Sequence, residues 1–499
     1  MNATPEHWEV AETGDLLNGI KAGKNLKCRE RPPEAHERGV IKVSAVTWGF
    51  FDAQQSKTLP NDFRPDTDTS IKAGDFLFSR ANTLELVGAV VITETSHPNL
   101  FLSDKVLRLD MEAAIKPWLL KFLRSPEGRR RLSEISSGNQ LSMRNIGQAA
   151  LKTVSVPIPP LPEQRRIVAK LDRLSARSVA ARDHLARTTK LATRAKQAIL
   201  AAAFSGEKTS QWRARNGISA EDGAATISAL QDQRQELVAA AGKLRKGKGT
   251  PPDHHRNSVE ISVPEEWSLS SLEDVTSPLR LIQYGILKPG QDVPGGVPYV
   301  KVMNIREDEV KLDKIRHTTP DIHANYLRSS LREGDLLLTI RGTVGRLAFV
   351  PRELDGGNIT QDTVRIDVLP AMCPRFVFWY LHSPMAERYF RENQKGVAVR
   401  GINVGDVRPM EIPVPSRGEQ DEVVRRIEAA FARIDRMTEE ASRAAHLLDR
   451  LDERLLAKAF RGELVPQDPD DEPAEALLAR IREARTAAPK ARRGRRKNG

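Results

Sequence analysis

Gly242, Gly247 and Lys248 have the spacing that opens a phosphate-binding loop, in which glycine amides cradle phosphate and the lysine reaches its charge. Gly249 stands where the magnesium-binding Ser or Thr belongs, and no strand-like run precedes the loop. Asp292 with Glu309-Val310-Lys311 has the loose Asp…Glu-x-Lys order of a metal-dependent nuclease, a triplet that charged chains also produce by composition alone. His254-His255 offers two imidazoles without neighbouring ligands. The cysteines, Cys28 and Cys373, are only two and lie far apart, which excludes a disulfide scaffold or a cysteine-built zinc site. There is no Gly-x-Gly cofactor loop, no Asn/Asp-Pro-Pro-Tyr/Phe signature of amino-methyltransferases and no Gly-x-Ser-x-Gly elbow. These residues point to binding rather than catalysis. The alternative is a DNA nuclease or methyltransferase with an unrecognised catalytic site.

The chain has 499 residues, with 78 Lys+Arg against 66 Asp+Glu and a net charge of +12. An excess of that size predicts an anionic partner, and nucleic acid is the commonest soluble one. The terminal stretch ARRGRRKNG supplies part of it. No apolar run approaches the roughly 18–20 residues of a membrane span, and MNATPEHWEV lacks the pattern of a signal peptide. The expectation is a cytoplasmic protein with no membrane partner.

The elements that must position any site occur twice. Pro5-Glu6-His7-Trp8 returns as Pro264-Glu265-Glu266-Trp267, and Gly74-Asp75 as Gly334-Asp335. Ser125-Pro126 returns as Ser383-Pro384, Pro157-Ile158-Pro159 as Pro413-Val414-Pro415, and Glu163-Gln164 as Glu419-Gln420. Ala203-Phe204-Ser205-Gly206-Glu207 returns as Ala459-Phe460-Arg461-Gly462-Glu463. Six matches in one order, with the offset drifting only from 260 to 256, mark an internal repeat. Each copy opens with β-branched runs such as GAVVITE, KVLRLD, VPYVKVMNI, GDLLLTI and TVRIDV, which predict strands. KPWLLKFLRSPEGRRRLSEI and PRFVFWYLHSPMAERYF predict helices. An α+β module follows from that mixture.

Each copy closes with a long helix that starts after a proline-rich stop, carries Glu-Gln in its first turn and ends at Gly206 or Gly462. Both run 42 residues, from Glu163 to Phe204 and from Glu419 to Phe460, or roughly 60 Å at 1.5 Å per residue. In the second copy Ile427, Ala430, Ile434, Met437, Ala441, Ala444, Leu448, Leu451 and Leu455 keep alternating spacings of three and four. In the first, Leu171, Leu174, Ser178, Ala181, Leu185, Thr188, Ala192, Ala195 and Ile199 do the same with smaller residues. That seam predicts an antiparallel coiled coil. The fold class expected is therefore α+β, with two similar globular domains separated by two long helices and related by a pseudo-two-fold repeat. Residues 1–160 form the first module, 161–207 the first spacer helix, 208–262 a polar connector, 263–415 the second module, 416–465 the second helix, and 466–499 a partly disordered acidic-to-basic tail with a short helical stretch, ALLARIREAR. Trp8 and Trp267 are expected in cores, and Phe204 and Phe460 at packed helix ends.

Loops of the repeat supply candidate contacts to an anionic polymer. Arg341 and Thr343 flank Gly342 after a strand end, where backbone can approach phosphate, and Arg80 and Asn82 occupy the similar loop of the first module. Lys21, Lys24, Asn25 and Lys27 form a basic loop. Asn139, Gln140 and Arg144, with Arg400 and Asn403 in the second copy, precede the proline-rich stop. A solvated face is the plain alternative for each.

The succession of module, proline-rich stop, Glu-Gln helix and Ala-Phe-x-Gly-Glu, all repeated, resembles the specificity subunit of Type I restriction–modification enzymes. The carrying segments are PIPPLPEQ (Pro157–Gln164), KQAILAAAFSGE (Lys196–Glu207), GVPYVKVMNI (Gly296–Ile305), GDLLLTIRGTVG (Gly334–Gly345), Pro413–Gln420 and LLAKAFRGE (Leu455–Glu463). The resemblance implies two target recognition domains that read a bipartite double-stranded DNA sequence, and helices that set the spacing of its halves. It adds Tyr284, Lys301 and Asn304 to the DNA-facing candidates. It implies a non-catalytic chain with no cofactor of its own. Two modification subunits would bring S-adenosylmethionine for adenine methylation, and restriction subunits, where the system carries them, ATP and Mg. The first copy writes PLPEQ where the second has SRGEQ, and the tail is an addition.

Overall fold

The computed structural model describes residues 5–140, 143–241, 261–396 and 400–487. The chain divides into two compact units, 1–185 with 442–499, and 186–441. Each unit holds one module, the beginning of one long helix and the end of the other.

In the first unit a four-stranded antiparallel sheet has the order Gly19–Ala22, Val106–Asp110, Phe76–Ser79, Val90–Ile92. A second sheet has the order Ser56–Thr58, Gly39–Ile41, His97–Phe101, Ser70–Ile71, with its two central strands parallel. The second unit repeats both. Gln283–Tyr284, Thr363–Ile366, Leu336–Thr339 and Leu347–Phe349 form the first sheet. Arg316–Thr318, Val297–Val300 and Asn358–Ile359 form the second, again with one parallel pair. Strand Glu9–Glu12 pairs with Ser155–Ile158, and Ser268–Ser271 with Glu411–Val414, so each module is closed where its long helix begins. The repeated Gly-Asp is structural. Gly74 and Gly334 turn at φ 78° and 85°. Asp75 meets the buried Arg108 at 2.9 Å, and Asp335 meets Arg280 at 2.6 Å. Each segment expected as one helix is two, Lys116–Arg124 with Pro126–Glu134 and Pro374–Leu381 with Pro384–Asn393. The Ser-Pro step explains the break: proline cannot donate within a helix, and Ser125 and Ser383 cap the following turn.

The long helices are Leu161–Phe204 and Arg417–Ala459. Their first-turn acids enter the cores. Glu163 accepts from Trp8 Nε1 at 3.1 Å and meets His7 Nε2 at 2.9 Å; Glu419 accepts from Arg213 at 2.6 Å. Gln164 and Gln420 donate to the carbonyls of Pro159 and Pro415, tying down the proline-rich stop. Within the first unit Ser178 donates to Asp452 at 2.7 Å and Arg182 pairs with Asp449 and Asp452. Within the second, Lys196 pairs with Asp435 at 2.6 Å and lies over the Phe431 ring. Partners descend on one helix as they ascend on the other, so the pairing is antiparallel. The seam is looser than its spacing implies: Leu171, Ser178, Ile427 and Ala441 are buried, whereas Met437 is 60% exposed.

Each helix ends in the module it did not start from. Phe204 is fully buried against Phe376 and Tyr380, with ring centroids at 5.2 and 5.3 Å. Phe460 is half-buried on Trp118 and Phe122, at 4.9 and 5.4 Å. Gly206 and Gly462 then turn at φ 73° and 72°. A Cβ there would meet Pro264 at 2.2 Å and Pro5 at 2.5 Å, so the recurring Pro-Glu-x-Trp segment closes over the cap of the arriving helix. Trp8 and Trp267, both 5% exposed, sit beneath.

One expectation changes here. The polar connector over 208–262 is helical at Ser210–Asn216 and Ala220–Ala240; 242–260, which hold the phosphate-loop-like glycines and His254-His255, lie outside the described residues. The tail carries its expected short helix, at Ala474–Ala487, and 488–499 lie outside the described residues. The two helices extend the repeat. Gly223, Thr226, Leu230 and Arg234 correspond to Ala474, Leu477, Ile481 and Arg485 at a constant offset of 251. The first three of each set are buried. The arginine donates to a backbone carbonyl of the same module loop, Arg234 to Glu273 at 2.6 Å and Arg485 to Gly14 at 3.0 Å.

Candidate nucleic-acid interface

The hairpin that follows Phe76–Ser79 brings sequence-distant candidates together. Strands Ser137–Gln140, Met143–Asn145 and Ala81–Asn82 form one sheet in which Arg144 pairs with Asn82. Arg80 donates to Asn145 Oδ1 at 3.2 Å. Asn82, Asn139, Gln140 and Arg144 therefore share one small sheet, and Arg80 borders it. In the second module Arg341 pairs with Gly401, and Gly342 N–H donates to the Arg400 carbonyl. Arg341, Thr343, Arg400 and Asn403 all lie exposed around that junction. The same gathering thus occurs in both modules.

Electrostatics sharpens the site. Arg80 and Arg144 donate only to neutral oxygens, Arg144 to Ser136 and Gly138. Sequence reasoning missed two neighbours. Arg124 donates to the carbonyls of Val90 and Gly49 at 2.8 and 2.7 Å, and Arg129 to that of Glu85 at 2.8 Å. Burial holds both guanidiniums below their ordinary pKa, with no acid pulling the other way. They were hidden because their helical spacing already accounted for them. Among the described residues none of these four makes an ion pair, whereas Arg130 is neutralised by Glu127 and Glu134. The result is a patch of uncompensated positive charge, suited to phosphate oxygens; Asn82 beside it spends its amide on Thr47 Oγ1 and the Thr83 N–H. In the second module Arg346 likewise donates only to the carbonyls of Val302 and Ile305.

The other candidates fall elsewhere. Lys21 on its strand pairs with Asp68 at 2.8 Å. Lys24, Asn25 and Lys27 are exposed in the loop beyond. Tyr284 is exposed at the end of strand Gln283–Tyr284, just before the corresponding loop of the second module; Gly23 and Gly285 both pack so closely on backbone that a Cβ would lie under 2 Å from it. Lys301 lies over the Tyr299 ring at 5.3 Å. Asn304 must be withdrawn as a contact residue. It is 1% exposed, and its amide is consumed by the Lys301 N–H and the Lys314 carbonyl. The nuclease-like triplet also dissolves: Asp292 accepts from His317 N–H, and Lys311 is neutralised by Glu307 and Glu309. Among the described residues no cluster of acids, histidines and cysteines could hold a metal, and no helix is long and apolar enough to cross a membrane.

Comparison with known proteins agrees with this layout. The family described as Type I restriction modification DNA specificity domain matches residues 5–183. The Type I restriction enzyme EcoBI specificity subunit of Escherichia coli is 30% identical over 367 residues, 72% of this chain and 70% of that one. The fold is shared with the HsdS subunit from Thermoanaerobacter tengcongensis (TM-score 0.53, 19% identity, 92% of this chain and 98% of that one). It is shared also with a chain from a study of complex assembly and conformational transition of the type I R-M system (TM-score 0.58, 18% identity, 93% and 100%). The duplicated modules, the paired long helices and these similarities together place the chain among the specificity subunits of Type I restriction enzymes.

Proposed function

We propose that each module reads one half of a bipartite double-stranded DNA target through its loop junction, Arg80 to Arg144 in the first and Arg341 to Asn403 in the second. Arginines on phosphates supply affinity, and amide side chains and loop backbone supply base contacts. The observation that carries this reading is the repeated gathering of uncompensated guanidiniums at equivalent loops. The long helices set the number of base pairs between the halves and offer a rigid surface to two modification subunits. Those subunits supply S-adenosylmethionine chemistry on adenine; restriction subunits add ATP- and Mg-dependent cleavage where they are present. This chain itself is non-catalytic, holds no cofactor and works in the cytoplasm.

Sequencing of methylated sites in DNA co-expressed with this chain and its modification subunit tests the proposal. A foreign first module should change one half of the methylated sequence only, and matched insertions in both long helices should widen the gap with both halves intact. An unaltered sequence after both edits refutes the reading. Tight S-adenosylmethionine binding by the chain alone would favour a hidden methyltransferase instead.

A further inference from the structure

Beside the Arg80–Arg144 sheet stands a turn whose side chains the fold does not use. Trp48 and Phe50 are 64% and 62% exposed on either side of Gly49, which turns at φ 85°. Their exposure is fixed rather than frayed. Thr47 Oγ1 donates to the Val43 carbonyl at 2.9 Å, Asp52 N–H to that of Ala45 at 3.0 Å, and Arg124 to that of Gly49 at 2.7 Å. Phe51 packs beneath, on the second sheet's core and the His97 ring. Asn82 Nδ2 donates to Thr47 Oγ1 at 3.3 Å, so the turn is joined directly to the candidate reading sheet.

The second module has a turn at the equivalent place, closed by the Lys311 N–H to the Asn304 carbonyl, but as a hairpin in which Glu307 and Asp308 both have positive φ, 54° and 60°. It follows the 3-10 turn Val302–Asn304, as the first follows Val43–Ala45. His382, at the position of Arg124, meets Asp308 at 3.2 Å. At the positions of Trp48 and Phe50 stand Glu307 and Glu309, both exposed. The scaffold therefore does not require aromatic residues there.

Exposed aromatic side chains on a braced turn suit a duplex, where they can meet the thymine methyl at the base edge or wedge between base steps. Uncompensated Arg124 at the foot of the turn, with Arg80 and Arg144 at the adjoining sheet, makes the surroundings complementary to a polyanion. We infer that Trp48 and Phe50 form an apolar wedge of the first module that packs against the bases of its half-site and helps to set which sequence that module accepts. This rests on the proposed DNA-reading role of the adjoining sheet.

The test uses the full chain assembled with its modification subunits. The double variant Trp48→Ala/Phe50→Ala should bind its target about ten- to hundred-fold more weakly, the loss of about one base-pair contact. It should broaden the methylated sequence in one half only, and leave the dependence of binding on salt unchanged, because an aromatic ring releases no counterions. Trp48→Phe should keep most of the affinity. Unchanged affinity and sequence would overturn the inference. So would broadening in both halves, or loss of subunit assembly on size exclusion with the methylated sequence unchanged, which would mark the turn as a protein contact. Arg80→Ala/Arg144→Ala, measured in parallel, separates the two levels. If it weakens binding while the aromatic variant does not, only the wedge fails; if it too has no effect, the reading of the whole sheet fails.

Discussion

Neutralising the guanidiniums of the first module should change how DNA binding responds to salt, by an amount that follows from their bonding. Arg80 and Arg144 spend their hydrogen bonds on neutral oxygens, so both charges remain available to phosphate. Each phosphate contact contributes about 0.9 to the slope of log K against log salt on duplex DNA. Arg80→Ala/Arg144→Ala should lower the slope by about 1.8. Between roughly 50 and 200 mM salt the wild-type complex should therefore lose about twelve-fold more affinity than the variant. Fluorescence anisotropy of a labelled target duplex, titrated with the assembled complex at four salt concentrations, reads the slope directly. Arg130→Ala is the control: its charge is already met by Glu127 and Glu134, so its slope should match wild type. An unchanged slope in the double variant, or an equal fall with Arg130→Ala, would refute the assignment of this patch to phosphate.

Phe204→Ala should cost about 3–5 kcal/mol in urea unfolding, because a fully buried ring is lost; Phe460→Ala should cost less, since that ring is half-exposed. Gly206→Ala combines a left-handed backbone with a clash on Pro264 and should exceed the roughly 1 kcal/mol expected of Gly217→Ala, which has φ 63° but open space; paired thermal melts decide this. Glu419→Gln takes the 2.6 Å carboxylate from buried Arg213 and leaves it only Glu266 at 3.6 Å, a loss of about 1.5–3 kcal/mol. Adding Arg213→Met should recover much of it in a double-mutant cycle, and full additivity would show that the pair does not interact. Deleting residues 466–499 should lower the melting temperature, because Leu477, Leu478 and Ile481 fill the first module's core; an unchanged melt would show that the helix does not dock.

The parts legible in the sequence are those where one residue type is forced. A left-handed cap wants glycine, a ring-filled socket wants Phe204, and a first-turn acid facing Trp8 wants Glu163. The glycine, phenylalanine and first-turn glutamate recur as residue types in both copies and expose the repeat. The helix Ala220–Ala240 was illegible because its buried face is Gly223, Thr226 and Leu230, too small and polar to register as an apolar stripe. The family resemblance misled at Asn304, whose amide serves the backbone. Arg144 and Arg80 could be named one by one, but only the strand pairing shows that they meet.

That the platform of Trp118 and Phe122 is covered by Phe460 has a temporal side. During synthesis roughly 340 residues separate the platform from its cover, a delay of about 20–70 s at ordinary translation rates. The second module meets Phe204 already made, so the half of the protein translated first is the half whose interior is sealed last. For that interval the growing polypeptide presents a bare aromatic socket to chaperones and to neighbouring ribosomes' products.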